Sequence, residues 1–244
     1  MKNILLKLTY DGTNYCGWQV QDNAPSICGE ITKAIFKFSG KNVKLTGCGR
    51  TDSKVHALNY YANFFLEKDF DVNTVKNALN HFLPFDIRIK EVFEKGMDFN
   101  SRYDVKSKEY IYVIDNGSFQ NPFFINKSFY YNKKIDMELL ANACKKFIGT
   151  YDFKAFMAAG SSVKDTVRTV YSCDIKKDGD KVIMSFCGNG FLYNMVRIMA
   201  GTLIFVNEKK IKINEIEDII KSKDRKKAGK TLPGCGLYLK DVKY

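Results

Sequence analysis

Two charged side chains carry the chemistry that can be read from this chain. Asp52 lies in Gly47-Cys48-Gly49-Arg50-Thr51-Asp52-Ser53-Lys54-Val55-His56-Ala57, a polar stretch between two segments that read as strands, residues 42–46 and 58–66. The glycines permit tight turning, and Gly-Arg-Thr-Asp also reads as an ordinary hairpin connection. Arg197, about 145 positions later, is the only charged residue between Lys181 and Glu208 and sits among Phe191, Leu192, Met195, Val196, Ile198, Met199 and Leu203. A guanidinium in such surroundings must reach a carboxylate, carbonyls or water. A buried structural salt bridge or a side chain extending to the surface meets that need, and so does a functional pair with Asp52.

If the two meet, a bidentate contact aims the carboxylate and favours its charged form. An ionised, oriented, partly desolvated Asp suits attack on a carbon bearing a leaving group, of which an anomeric carbon is the obvious example. Serine- or cysteine-nucleophile chemistry has little support, because neither His56 nor His81 stands in a context that nominates it. His56 reads as a strand-entry residue bonding within its own loop. The seven cysteines form no Cys-x-x-Cys pair, and with two histidines they give no zinc-ligand spacing, so no metal is expected.

Tyr110 opens a strand, Lys106-Ser107-Lys108-Glu109-Tyr110-Ile111-Tyr112, and shares a face with Tyr112. Such rings fill sheet surfaces; the functional alternative is stacking on an extracted base, with the interleaved lysines on phosphate. Phe99-Asn100-Ser101-Arg102 and residues 158–164 read as polar loops able to hold backbone phosphate, or as solvated faces. The net charge of +12 calls for an anionic partner: RNA, DNA or an anionic membrane. Of the 39 basic residues 33 are lysine, so biased gene composition accounts for part of that charge. The six arginines then mark places that need a planar fork of donors, and Arg50, Arg102, Arg168 and Arg197 all fall in the polar or glycine-rich stretches.

The elements that must position these residues follow from periodicity. Residues 3–10 alternate as a strand; Ser26 caps a helix to residue 39 with Ile27, Ile31, Ala34, Ile35 and Phe38 inward. Asn73 caps a second helix that Pro84 stops, and residues 86–93 return as a strand. The order β-α-β-β-α-β then repeats: residues 109–115, a helix at 136–148 capped by Asp136, a hairpin of 167–176 and 181–187 across Asp178-Gly179, an apolar helix over 190–206, a short helix at 214–221 and a last strand at 236–241. The expected fold is α+β, two tandem ferredoxin-like halves (residues 1–103 with the Asp52 loop, 104–244 with the Arg197 helix) forming a mixed or antiparallel sheet with a central active-site cleft. No secretory signal precedes the first strand, and the cysteine pattern fits a reduced cytoplasm. The apolar run 182–207 is broken by Gly188, Asn189, Gly190 and Asn194 and centred on an arginine, so no membrane span is expected.

Together these residues resemble the TruA family of tRNA pseudouridine synthases over nearly the whole chain. Tyr-Asp-Gly-Thr-x-Tyr-x-Gly-Trp-Gln stands at residues 10–19, Gly-Arg-Thr-Asp-x-x-Val-His-Ala at 49–57, and Tyr-Asp-Phe at 151–153. Ala158-Ala159-Gly160, Val167-Arg168-Thr169, Gly-Phe-Leu-Tyr-x-Met-Val-Arg at 190–197 and Gly-Leu-Tyr-Leu at 236–239 follow in the family's order. The resemblance implies the pseudouridine synthase fold, with Asp52 as catalytic aspartate, Arg197 as its ion-pair partner and Tyr110 stacking on the target uracil. Arg50, Thr51, Arg102, Arg168 and Lys54 become candidate RNA contacts. It further implies conversion of uridine to pseudouridine in the anticodon arm, at tRNA positions 38 to 40, by a cytoplasmic homodimer using neither cofactor nor metal. Two departures stand out. Ser53-Lys54 replaces the family's Ala-Gly after the aspartate, and Cys235 stands where a histidine is usual. They leave open a synthase of the same fold with shifted uridine choice. A tRNA chaperone without chemistry would be marked by loss of Asp52 or Arg197, and both are present. No helix reads as a DNA-recognition element.

Overall fold

The computed structural model describes residues 1–67, 70–161 and 163–244. Its ten strands and five α-helices divide into two compact units, Met1–Lys106 with Leu239–Tyr244, and Ser107–Tyr238.

The first unit runs β1 (Lys2–Tyr10), α1 (Ile27–Ser39), β2 (Thr46–Gly47), β3 (His56–Leu66), α2 (Val72–Phe82) and β4 (Ile87–Lys95), the β-α-β-β-α-β order read from the sequence. Strands lie β4-β1-β3 and pair antiparallel, with β2 also on β3. Alternation puts Ile4, Leu6, Leu8 and Tyr10 of β1 in the core, beneath the Ile27, Ile31, Ala34 and Ile35 stripe of α1. The Ser26 hydroxyl accepts the Gly29 N–H to start α1, and Gly40 at φ 71° ends it. Asp71, not Asn73, caps α2. Its carboxylate takes the N–H groups of both Asn73 and Thr74, so the helix begins two residues before the sequence suggests. β2 is shorter than the expected 42–46, because Val43 and Leu45 stay half-exposed and gain little burial from pairing.

The second unit contains β5 (Ser107–Asp115), β6 (Phe129–Tyr130), α3 (Met137–Lys145), β7 (Gly149–Asp152), β8 (Val167–Asp178), β9 (Lys181–Gly188), α4 (Met195–Asn207) and α5 (Glu215–Ser222). β10 (Leu237–Lys243) closes the chain, and its residues 239–243 lie beside β3 in the first unit. The order β5-β9-β8-β7 is antiparallel, while β6 runs parallel to β5, so the strand pairing is mixed. Asp178 pairs with Lys181, so the two-residue turn is Gly179-Asp180, one residue later than the expected Asp178-Gly179, with Gly179 at φ 57° in its first position. The short β6 and β7 add to the expected order.

The apolar helix expected over 190–206 begins at Met195. Asn194 sits at φ 60°, in the left-handed region, so the apolar run before it cannot continue the helix. Ser162 of the polar stretch 158–164 lies outside the described residues. Among those residues no helix is long and apolar enough to cross a membrane.

Candidate active site

The Asp52 loop joins β2 to β3 and is fastened along its length. The Cys48 N–H bonds the Tyr61 carbonyl (2.8 Å), the Tyr60 hydroxyl donates to the Gly49 carbonyl, and the Trp18 N–H reaches the Thr51 carbonyl (3.1 Å). The Lys54 N–H reaches the Tyr15 carbonyl (3.2 Å) and the Val55 N–H closes on the Asp52 carbonyl (3.2 Å). Tyr10 and Thr51 share a buried hydroxyl–hydroxyl bond of 2.9 Å. Trp18 stacks on Tyr60 at 4.1 Å between ring centroids. Behind them the Tyr15 hydroxyl donates to Asp86 at 2.6 Å, and burial together with that carboxylate pushes its pKa up. Gly17 completes the frame at φ 94°, where an added Cβ would lie 2.3 Å from the Thr51 carbonyl oxygen; only glycine fits. The aromatic-bearing segment between β1 and α1, residues 11–26, thus fastens the loop that carries Asp52.

Within that loop Thr51 is buried, Asp52 half-buried, and Arg50, Ser53 and Lys54 exposed. Lys54 adopts φ 63°. The conformation a glycine takes at no cost is therefore kept with a lysine in it, at a strain on the order of 1 kcal/mol. His56, expected to bond within its own loop, is the first residue of β3 and reaches the residues that follow β1. Its Nδ1 accepts the Gly12 N–H at 3.0 Å and lies 3.1 Å from Asp11 Oδ1. The cause is register: Ala57 pairs with Tyr10, which brings the ring across to the residues that follow β1. Arg102 is exposed in a turn and lies over the Tyr103 ring at 5.6 Å, next to Ser101, whose hydroxyl donates to the Thr46 carbonyl of β2 at 2.6 Å.

In the second unit Tyr110, Arg168 and Arg197 gather around residues 190–194. Tyr110 is 9% exposed and meets Phe191 edge-on at 5.3 Å. Arg168 passes 3.7 Å from the position a Gly190 Cβ would take, and its Nη1 donates to the carbonyls of Asp165 (3.1 Å) and Val167 (2.6 Å). Arg197 Nη1 donates to Asn194 Oδ1 (2.5 Å) and its Nε to the Leu232 carbonyl (2.7 Å). The segment supplying Leu232 lies hard against α4. A Cβ on Gly201 would stand 1.8 Å from the Lys230 carbonyl oxygen, and the Gly229 N–H bonds Thr202 Oγ1 at 2.9 Å. The next residue, Pro233, accepts the Tyr112 hydroxyl at 2.8 Å. Burial drives the Tyr112 phenol well above its ordinary pKa, and the Arg197 charge opposes the rise. Cys235 follows in a 3-10 turn with its Sγ 3.5 Å from the Ser128 carbonyl. The departure from the family pattern thus sits three residues after Leu232, the residue whose carbonyl holds Arg197.

Sequence reasoning missed Tyr10, Tyr15, Trp18 and Tyr60 as supports of the loop, and Asn194 and Leu232 as supports of the arginine. Tyr10, Tyr15 and Trp18 were visible as part of the motif at residues 10–19 and Tyr60 as a strand residue; nothing in their spacing said what they pack on.

A multiply anchored carboxylate loop and an arginine steadied by an aromatic-rich segment, on a strongly basic α+β chain, are the equipment of an enzyme that works on a nucleobase. The comparisons with known proteins agree. The family model described as tRNA pseudouridine synthase matches residues 8–104 and 143–244. Proteins named tRNA pseudouridine synthase A from Caldicellulosiruptor bescii, Caldicellulosiruptor saccharolyticus and Acetivibrio thermocellus are 46%, 45% and 44% identical, each over 244 residues and the whole of both chains. A solved structure titled as a Cbf5-Nop10-Gar1 complex is a distant likeness, with a TM-score of 0.36 and 13% identity over 97% of this chain and 58% of that one, too remote to inform function. The chain belongs to the TruA family of tRNA pseudouridine synthases.

Proposed function

We propose that this chain, an isomerase acting on tRNA by its family, converts uridine to pseudouridine at positions 38 to 40 of the anticodon arm, with Asp52 as its catalytic carboxylate. The fastening of the Asp52 loop carries the reading. Almost every neighbour of Asp52 is tied by a backbone or hydroxyl bond, while the carboxylate's own residue is left half-buried. That is the preorganisation a nucleophile needs.

The target base must first leave its stack, and phosphate contacts with stacking offset that cost. Asp52 then attacks C1′, and the N1–C1′ bond breaks with its electron pair on uracil. The freed uracil turns and bonds C1′ through C5, expelling the carboxylate. C5 loses its proton and N1 gains one, so atoms balance without a further reactant. Water must be kept away, since it would intercept the sugar and turn isomerisation into hydrolysis. Arg197 pairs with and aims Asp52, its other donors already fixed by Asn194 and Leu232. Tyr110 offers its remaining open surface to the uracil, and Arg50, Thr51, Lys54, Arg102 and Arg168 serve the RNA backbone. The division of labour between residues 1–103 and 104–244, a homodimeric state and a cytoplasmic location complete the proposal.

One observation favours a narrower second reading, a shifted choice of uridine. Lys54 adds an exposed cation beside Asp52 while keeping a glycine-like backbone. Mapping pseudouridine in tRNA from cells with and without this gene tests both. Loss confined to positions 38 to 40 supports the first reading, loss elsewhere in tRNA supports the second, and an unchanged map overturns both.

A further inference from the structure

Phe85 is 96% exposed, as open as a side chain can be in a folded chain. It is nevertheless not on a loose loop. Pro84 precedes it, the Ile87 N–H closes on the Pro84 carbonyl at 3.1 Å, Ile87 is fully buried, and the Asp11 N–H bonds the Asp86 carbonyl at 2.9 Å. A rigid turn therefore holds an aromatic ring up in water. The Arg88 guanidinium lies 5.0 Å from the ring centroid and is itself pinned, its Nη1 shared among the carbonyls of Leu83, Pro84 and Ile87. The ring borders a hollow of about 430 Å³ lined by Thr9, Tyr10, Asp11, Phe85, Asp86 and Arg88. This is the back of the frame described above: Tyr10 bonds Thr51, Asp11 contacts His56, and Asp86 holds Tyr15.

The chemistry of the hollow selects its occupant. Two carboxylates repel a phosphate, and the one cation is directed at backbone carbonyls, so the nucleic-acid backbone is disfavoured there. An open aromatic ring beside carboxylate acceptors suits the face and the amino edge of a base. Asp86 Oδ1 is taken by the Tyr15 hydroxyl, and Oδ2 has no partner among the described residues. We propose that Phe85 and Asp86 form a subsite for an unpaired tRNA base carrying an exocyclic amino group, stacked on the Phe85 ring and donating to Asp86, in contact with the frame that holds Asp52. The inference rests on tRNA being the substrate.

Two measurements on the full chain test it. Phe85→Ala raises KM for a tRNA transcript about tenfold, the worth of one lost base stack, while kcat changes less than twofold and the melting temperature stays put. Phe85→Tyr restores KM. An Ala variant with KM within twofold of the parent overturns the subsite. Phe85→Trp places an exposed indole at the site, and saturating tRNA quenches its emission. Oligocytidylate quenches it at lower concentration than oligouridylate, a pyrimidine pair in which only the first carries the amino group; equal quenching by the two overturns the amino-group selection, and no quenching by tRNA overturns the contact. A parent protein that forms no pseudouridine contradicts the proposed function instead, and the quenching result still decides the subsite.

Discussion

The Asp52 loop and the Arg197 helix solve the same problem, holding a charged side chain still, by opposite means. The loop has no regular structure of its own and borrows rigidity through hydrogen bonds from the aromatic segment after β1. The arginine stands on a helix, bonded to Asn194 and to the Leu232 carbonyl, and the segment that supplies that carbonyl is seated by one close approach, Gly201 against residues 229–232. The first device is many weak ties; the second is one tight fit. A loop held by many ties tolerates loss of any one. A fit made by removing a Cβ does not.

That contrast can be broken from either side. Gly201→Ala should be the most damaging single change: its Cβ cannot coexist with the Lys230 carbonyl, so α4 and the 229–232 segment separate. We expect a loss of about 3 kcal/mol by denaturant titration, the upper range for overpacking, with activity falling in step. Arg197→Leu should leave melting nearly unchanged, yet lower kcat about 100-fold, the penalty for a misaimed catalytic group. Equal kcat in single-turnover assays would remove Arg197 from the chemistry. Tyr10→Phe deletes one tie of the Asp52 loop, the bond to Thr51, and should cost about 1 kcal/mol of stability and less than tenfold in kcat. Lys54→Gly relieves the left-handed strain and should stabilise by about 1 kcal/mol, measured by thermal melting.

The smallest effect lies in neither device. Lys210 and then Lys133 hold Glu208 down to a pKa of about 2 at the end of α4. A depressed carboxylate stabilises the fold above its unfolded pKa, and that contribution is lost as pH falls toward 2. Both lysines are largely exposed, so Glu208→Gln should cost under about 1 kcal/mol at pH 7. Melting curves of the two proteins should converge between pH 4.5 and 2.

The same contrast explains what the sequence disclosed. Local rules worked where one residue decides: Ser26 and Asp136 cap their helices, and Gly179 supplies the left-handed residue of its hairpin turn. They failed where a neighbour in space decides. Asn194 breaks an apolar run that periodicity alone extends to Gly190, and Asp71 outcompetes Asn73 because its carboxylate takes two N–H groups. Asp52 and Arg197 stood out as candidates because an acid in a glycine-bearing loop and a lone charge in an apolar run are anomalies. Tyr10, Tyr15 and Trp18 were not, since a buried aromatic announces burial without saying what it supports. Gly201 was silent for a related reason: a close approach needs both partners, and only one is in the helix.

Asp52→Asn tests the central claim most directly, because it removes the proposed nucleophile and changes almost no volume. Pseudouridine per tRNA and the tRNA dissociation constant should be measured on the same preparation. The account predicts a dissociation constant within about twofold of the parent, since the cationic phosphate contacts that carry affinity are untouched, and no pseudouridine above background. A variant that still forms pseudouridine at the parent rate would contradict it.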